Sequence, residues 1–129
     1  MKRIITAVLI LSSTNVFAER FECDATLFKS IDGELFKQIT FERAGSIVDK
    51  GDKFVFSVKM GVAGVSPVLT QTAEKTKWDT RKTGSKTEWF TKANNEYGQY
   101  YLYEFQFDQD KKTIYLFDKC KVKDEAERS

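Results

Sequence analysis

The feature that most constrains the fold is a long stretch near the C-terminus, Tyr97 to Val122, in which aromatic and β-branched residues dominate. Such residues suit the pleated, half-buried surface of a β-sheet. A polar segment, Asp108 to Lys111, divides the stretch into two arms. The pattern predicts a long β-hairpin whose loop of two or four residues is centred on Gln109 and Asp110.

Either loop gives the same register between the two arms, and that register decides which side chains are buried. The predicted cross-strand pairs are Phe105 with Ile114, Tyr103 with Leu116, and Tyr101 with Asp118. This apolar face would be the core face, with the Tyr101 hydroxyl satisfying the carboxylate opposite it. An apolar patch on the other face would mark a contact surface, unless a segment such as 61–66 covers it. The patch would contain Tyr100, Leu102, Tyr115 and Phe117.

The N-terminus has the pattern of a secretory signal peptide. Lys2 and Arg3 precede an apolar run, Ile4 to Leu11, and a small-residue site ends at Ala18. This order predicts cleavage after Ala18 and export to the periplasm or the exterior, leaving residues 19–129 as a single β-domain. The apolar run is far shorter than the ~20 residues that cross a bilayer, so we expect no membrane span.

The charge balance argues against polyanionic partners. The chain has 21 basic and 19 acidic residues. Because Lys2 and Arg3 belong to the predicted signal peptide, the mature chain would carry no net charge. A neutral domain has no field that would attract nucleic acid or an anionic membrane surface.

The two cysteines, Cys23 and Cys120, lie near opposite ends of the mature chain. Both fall on the apolar parity of their strands, and an exported chain with two cysteines is expected to join them. A disulfide that closes so long a loop would stabilise the fold by roughly 4–5 kcal/mol. It would also bring the first and last strands together.

Alternation of apolar and polar residues with a period of two predicts further strands around 21–27, 35–41 and 54–60. For the first hairpin, a three-residue loop, 31–33, would place Cys23 opposite Phe41 and Ala25 opposite Ile39, with all four on one face. The last residues, 123–129, are charged and should fray. Seven or eight strands separated by regular turn signals predict an all-β fold, a small antiparallel barrel or a sandwich. The cysteine pair favours the barrel.

A further hairpin is predicted around Thr83 and Gly84. Its register would make Trp78 and Trp89 direct cross-strand neighbours on a face that turns inward or lines a groove. An adjacent tryptophan pair can form a platform for a sugar ring or a peptide. The alternative is that both rings close one end of the core.

The composition removes several kinds of chemistry. With no histidine in the chain, Cys–His and Ser–His catalysis are excluded and an ordinary zinc site is not expected. A Ser–Lys pair or paired carboxylates would still be possible, but Ser85 and Lys86 fall in a predicted turn. We therefore expect no enzyme activity, no catalytic residues, no metal and no cofactor.

The leading hypothesis is an exported binding module that contacts a protein or a cell-envelope glycan through its aromatic residues. In size and class it resembles the small periplasmic lysozyme inhibitors of Gram-negative bacteria, which implies an inhibitor or accessory subunit. A lipocalin-like carrier of a small apolar ligand is the alternative, and a hydrolase is the least favoured class.

Overall fold

The computed structural model describes residues 18–59, 61–108 and 111–123, and the described chain is a single antiparallel sheet. There are nine strands and no helix in this part of the chain, so the predicted all-β class is confirmed. The strands are β1 (Glu19–Ile31), β2 (Glu34–Asp49), β3 (Phe54–Val58), β4 (Ala63–Val65), β5 (Gln71–Ala73), β6 (Thr76–Thr83), β7 (Lys86–Asn95), β8 (Gly98–Asp108) and β9 (Lys111–Val122).

The sheet is an up-and-down meander that curls into a half-barrel. Its order is β4-β3-β2-β1-β9-β8-β7-β6-β5, so every strand pairs with its neighbours in sequence except at the break between β4 and β5. The pairing of β1 with β9 joins the two ends of the chain. The hairpin turns at 32–33 and 84–85 therefore share one end of the half-barrel with the end of β8 and the start of β9, and the turns at 50–53, 74–75 and 96–97 share the other. The loop predicted at Gln109 and Asp110 lies outside the described residues.

The core lies on the concave face, where β3 folds back over β7, β8 and β9. Phe54 and Phe56 of β3 are at most 1% exposed. The ring centroid of Phe56 lies 4.5 Å from that of Tyr103, and the ring of Phe54 lies 5.1 Å from Tyr101. Aromatic pairs at such separations add to the free energy gained from burial. These contacts hold the curl of the sheet near the 50–53 turn.

The predicted disulfide is confirmed: Cys23 of β1 bonds to Cys120 of β9, 97 residues away in sequence. Lys119 has a φ of 53°, and the register of β1 and β9 shifts between Glu22 and Asp24. This bulge gives β9 one extra residue and turns Cys120 toward Cys23. The bond is compatible with an oxidising, exported location.

The register predicted for the β8–β9 hairpin is wrong by one residue. Tyr103 lies opposite Tyr115, and Tyr101 lies opposite Phe117. The cause is a bulge at Phe107, between the pairs that Gln106 and Asp108 form with β9. One extra residue in one strand reverses the faces of its partner. Tyr115 and Phe117, predicted to face outward, are therefore core residues that are 8% and 0% exposed.

The first hairpin also differs from the prediction. Its loop has two residues, Asp32 and Gly33, with φ values of 51° and 83°, as a type I′ turn requires. Ile39 lies opposite Leu27 because a bulge at Gln38 restores the apolar face that a two-residue loop alone would misalign. The expected partners of Cys23 and Ala25 are likewise wrong, since Cys23 pairs with Gly45 and Ala25 with Phe41.

The β6–β7 hairpin turns at Gly84 and Ser85, one residue later than predicted. Trp89 consequently lies opposite Thr80, and Trp78 lies opposite Thr91. The tryptophans share a face as diagonal rather than direct neighbours, and that face is the convex one. The prediction that this face turns inward is wrong, because the inward residue of β7 is Phe90, which is fully buried.

The predicted signal peptide and most of the charged tail lie outside the described residues, which exclude 1–17 and 124–129. In the described part of the chain, no helix is both long and apolar enough to cross a membrane.

Candidate functional site

The concave face of the half-barrel is exposed at the end that carries the 32–33 and 84–85 turns. Large apolar side chains on this face are open to solvent there: Phe107 is 57% exposed, Ile39 47%, Phe36 44% and Ile31 41%. Half-buried Leu27 and Phe105 connect them to the core. We call these six residues the open-end surface. A contiguous apolar patch of this kind on a folded protein usually marks a contact site.

The register of the sheet explains how this surface arises. One row of directly opposed residues crosses four strands: Tyr103, Tyr115, Leu27 and Ile39. Directly opposed side chains point to the same face, so Ile39 faces inward like the buried tyrosines. Exposure rises along the row from 5% at Tyr103 to 47% at Ile39. The apolar face therefore continues beyond the core toward β2.

The next row toward the turns has the same form and contains Phe105, Thr113, Lys29 and Phe36. Phe105 packs against Tyr103, with ring centroids 5.7 Å apart, and Phe107 meets Phe105 edge-on at 5.7 Å. A ladder of rings along β8 thus leads from the core out to solvent. It fixes the position of Phe107 although that ring is exposed.

An unpaired strand edge borders this surface. β2 pairs with β3 only from Gly45 to Asp49, and the β3–β4 turn then reaches Ala44 through a bond from the Lys59 amide. From residue 34 to residue 43, β2 has β1 as its only partner strand among the described residues. The Arg43 amide donates to Asp24 Oδ1, so the part of this edge open to an incoming strand runs from residue 34 to residue 42. Such an edge offers amides and carbonyls to the backbone of another chain.

Lysines surround the open-end surface. The Lys86 ammonium lies 5.6 Å from the ring centroid of Phe105 and 5.8 Å from that of Phe107. Lys29 and Lys111 are exposed on the same inward-facing rows. The side chains around the apolar floor are therefore mainly cationic.

An ion pair between buried Glu88 and exposed Arg81 forms the wall of the surface on the β7 side. Glu88 is 6% exposed, and it accepts hydrogen bonds from Arg81 Nε at 2.9 Å and the Tyr103 hydroxyl at 2.6 Å. Burial by itself would raise the pKa of Glu88, but these bonds and the charges of Arg81 and Lys86 lower it below its ordinary value. Glu88 is thus an ionised carboxylate held in place.

A second buried carboxylate, Asp49, ties β2 to β7 and β8 at the other end. Its oxygens accept hydrogen bonds from Lys92 Nζ at 2.8 Å, the Gly51 amide at 2.8 Å, Gln99 Nε2 at 2.9 Å and the Tyr101 hydroxyl at 2.6 Å. Burial opposes ionisation, yet these donors hold the pKa of Asp49 below its ordinary value. Burial and the bond to Asp49 both raise the pKa of Tyr101. Four donors leave this carboxylate no free capacity for a ligand.

The predicted pairing of Tyr101 with Asp118 is wrong, because the Tyr101 hydroxyl bonds to Asp49. Asp118 lies opposite Asp24, and burial is the main reason why its pKa is raised. It lines a cleft of about 260 Å³ that also includes Tyr97, Gln99 and Tyr100.

The six predicted binding residues do not form one surface. Tyr115 and Phe117 are in the core, whereas Trp78, Trp89, Tyr100 and Leu102 lie on the convex face. Trp78 is 39% exposed. Trp89 is covered by Lys112, whose Nζ lies 4.6 Å above the ring centroid and 3.5 Å from Glu104 Oε1. The convex face therefore offers one half-exposed tryptophan rather than a platform of two.

The sequence did contain a signal for the open-end surface. Leu35 and Phe36 lie two and three residues after Gly33, and Phe107 stands between Gln106 and Asp108. Apolar residues at hairpin tips are unusual in a soluble sheet because turns are normally solvated. No sequence pattern marked the two bulges that bring Phe36, Ile39 and Phe107 to one face.

Within the part of the chain that the structure describes, no group of three or more acidic or cysteine side chains could hold a metal ion. A cleft of about 510 Å³ at the β5–β6 turn includes Lys75, Lys77 and Lys92. Because Lys92 is already bound to Asp49 and Gly51, this cleft has less free binding capacity than its lysine content suggests.

The sequence matches no protein-family model, and no curated protein is significantly similar to it. The geometry of the surface is accordingly what supports a function.

Proposed function

We propose that this chain is an exported, non-enzymatic binding module that contacts another protein through the open-end surface. The observation that carries the proposal is the combination of exposed Phe36, Ile39 and Phe107 with the free edge of β2. Aromatic and aliphatic side chains at the centre of a patch with a cationic rim are typical of protein interfaces.

A protein fits this surface better than a glycan does. Sugar recognition on a flat aromatic platform needs exposed ring faces, and Lys112 covers the face of Trp89. The free amides and carbonyls of β2 match another polypeptide, since a strand added to an edge satisfies both sets. A glycan contact through Trp78 is the second candidate, supported by the half-exposed ring.

The filled interior argues against a carrier of small apolar ligands. Phe54, Phe56 and Phe90 are at most 1% exposed and lie within ring-contact distance of one another. In a lipocalin-like carrier the barrel interior is the ligand cavity. Here aromatic rings occupy the corresponding space between β3 and β7.

The state of the buried carboxylates supports a non-enzymatic role. A general acid needs a raised pKa, whereas the pKa values of Asp49 and Glu88 are lowered by their hydrogen-bond donors. Asp118, whose pKa is raised by burial, is the exception. The Lys86 ammonium lies over two aromatic rings and 3.4 Å from Glu88 Oε2.

Site-specific photo-crosslinking tests the proposal. A photoreactive phenylalanine analogue at Phe107 should yield a defined crosslinked product with an envelope or extracellular protein of the native host. The matched control is the same analogue at Tyr97, which is 88% exposed but lies at the opposite end of the half-barrel. We expect crosslinks from position 107 and not from position 97, and competition by unlabelled wild-type protein.

Two results would contradict protein binding at this surface. Equal crosslinking from both positions would indicate non-specific contact. Retention on purified peptidoglycan that Trp78→Ala abolishes and Phe107→Ser leaves unchanged would instead favour the glycan candidate.

A further inference from the structure

We propose that a second copy of this chain pairs with the free edge of β2, so that two half-barrels form a dimer with one continuous concave surface. The two β2 strands would run antiparallel over residues 34–42 and bring both open-end surfaces together. This inference rests on the proposed function and narrows it: the second copy occupies the β2 edge, and the host protein contacts the joined apolar surface that contains Phe36, Ile39 and Phe107.

The length of the free edge limits the pairing. Toward the N-terminus it is bounded by the Asp32–Gly33 turn, and toward the C-terminus by β3 and the Lys59 amide bond to Ala44. Arg43 has a φ of 57° and its amide donates to Asp24 Oδ1, so the free edge has nine residues, 34–42, which span about 30 Å as extended strand. An antiparallel pair centred between residues 38 and 39 places residue 35 of one copy opposite residue 42 of the other.

This register also matches the faces of the strands. It places Phe36 opposite Phe41 of the second copy, twice about the two-fold axis. Both residues face inward, since Phe36 lies opposite Lys29 and Phe41 lies opposite Ala25 on the concave side of β1. The bulge at Gln38 makes this match possible, because without the extra residue the two rings would be on opposite faces.

The charges at the ends of the edge are complementary in the same register. Glu34 of each copy would lie opposite Arg43 of the other, and both residues are exposed in the single chain. Opposite charges placed across a strand pair favour one register over its competitors. The full chain carries a formal net charge of only +2, so overall repulsion between copies is small.

The symmetry of the contact predicts a dimer rather than a fibre. A two-fold pairing uses the same edge of both copies and leaves no free β2 edge to continue the sheet. The terminal strands of the sheet, β4 and β5, have three residues each, and the part of β6 beyond its pairing with β5 contains Asp79, Arg81 and Lys82. Very short edge strands and charged edge residues both oppose further strand addition.

Sedimentation velocity on the oxidised protein tests the inference, with Ile39→Lys as the disrupting variant. A lysine at the centre of the edge, facing inward, should raise the dimer dissociation constant at least about tenfold because it buries an unpaired charge. Val68→Lys is the matched control: Val68 is 49% exposed and Ile39 is 47% exposed, but Val68 lies outside the strands. The control should dimerise like the wild type.

Charge reversal tests the register. Glu34→Arg or Arg43→Glu alone should weaken the dimer roughly tenfold, because two ion pairs become two repulsive contacts. The double variant should restore the wild-type constant. A wild-type protein that stays monomeric, a dimer that Ile39→Lys leaves intact, or a double variant that is not rescued would each overturn the proposal.

Different experimental results would contradict the dimer and the proposed function. If Ile39→Lys is monomeric and a photoreactive group at Phe107 still crosslinks the host protein with undiminished yield, the composite surface is excluded while protein binding stands. If the dimer forms as expected and no heterologous crosslink appears, binding of a different protein is contradicted while the second copy remains the occupant of the edge.

Discussion

The hydroxyl of Tyr101 offers a sharp test of how the curl of the sheet is held. Tyr101 is fully buried on β8, and its hydroxyl donates to Asp49 Oδ2 of β2 at 2.6 Å. Tyr101→Phe removes this donor and leaves the ring. A hydrogen bond to a buried charge contributes about 1.5–3 kcal/mol. Because Lys92, Gln99 and the Gly51 amide still bind the carboxylate, we expect the lower part of that range, about 1.5–2 kcal/mol.

The loss should depend on pH in a defined direction. The Tyr101 bond helps to lower the pKa of Asp49 below its unfolded value. A carboxylate with a lowered folded-state pKa contributes stability that is fully present above its unfolded pKa and is lost as the pH falls through the folded pKa. The difference between wild type and Tyr101→Phe should therefore be largest near pH 7 and shrink as the pH falls through the lowered folded-state pKa of Asp49.

Urea unfolding of the oxidised proteins, followed by fluorescence across this pH range, measures the difference. Tyr115→Phe is the matched control, since Tyr115 is 8% exposed and its hydroxyl has no hydrogen-bond partner among the described residues. The control should change the unfolding free energy by less than about 0.5 kcal/mol. A Tyr101→Phe loss that is absent, or that is equally large in acid, would refute the assignment of this energy to the Asp49 bond.

Three further substitutions have defined outcomes in the same unfolding assay. Cys120→Ser opens a disulfide loop of 97 residues and should lower the unfolding free energy by about 4–5 kcal/mol. A separate check is alkylation of the unreduced wild type, in which two added alkyl groups would show that no bond exists. Gly64→Ala should cost about 1–3 kcal/mol because its Cβ would lie 2.7 Å from Phe56 Cζ, and a neutral result would mean that the ring moves freely. Trp78→Ala should cost less than about 1 kcal/mol, as expected of a half-exposed convex residue, and a loss near 3 kcal/mol would indicate a core position.

The parts of the fold that the sequence predicts are those that depend on local patterns of residues. The aromatic alternation of β8 and β9 predicts two long strands, and the structure contains both. Tyr115 and Phe117 show the limit. A single bulge at Phe107 moved both from the expected outer face into the core, and no residue type marks that position as a bulge.

The candidate site was less accessible to sequence reasoning than the fold. Trp78 and Trp89 were predicted to be binding residues because they are large and aromatic, yet they lie on the convex face. Phe36 and Ile39 read as ordinary strand residues, and their exposure depends on how far β3 extends along β2. The length of a neighbouring strand is not a local property of the strand that it covers.

The sequence by itself determined the class of this protein, because side-chain period and turn chemistry act within a few residues. It also determined the Cys23–Cys120 bond, since two cysteines on matching faces leave a single pairing. The tertiary structure alone decided which faces are buried, through bulges at Gln38, Phe107 and Lys119. It alone created the open-end surface, because exposure there results from a sheet that closes at one end through the contacts of Phe54, Phe56 and Asp49 and stays open at the other. Those contacts join residues far apart in the chain, and no local pattern specifies them.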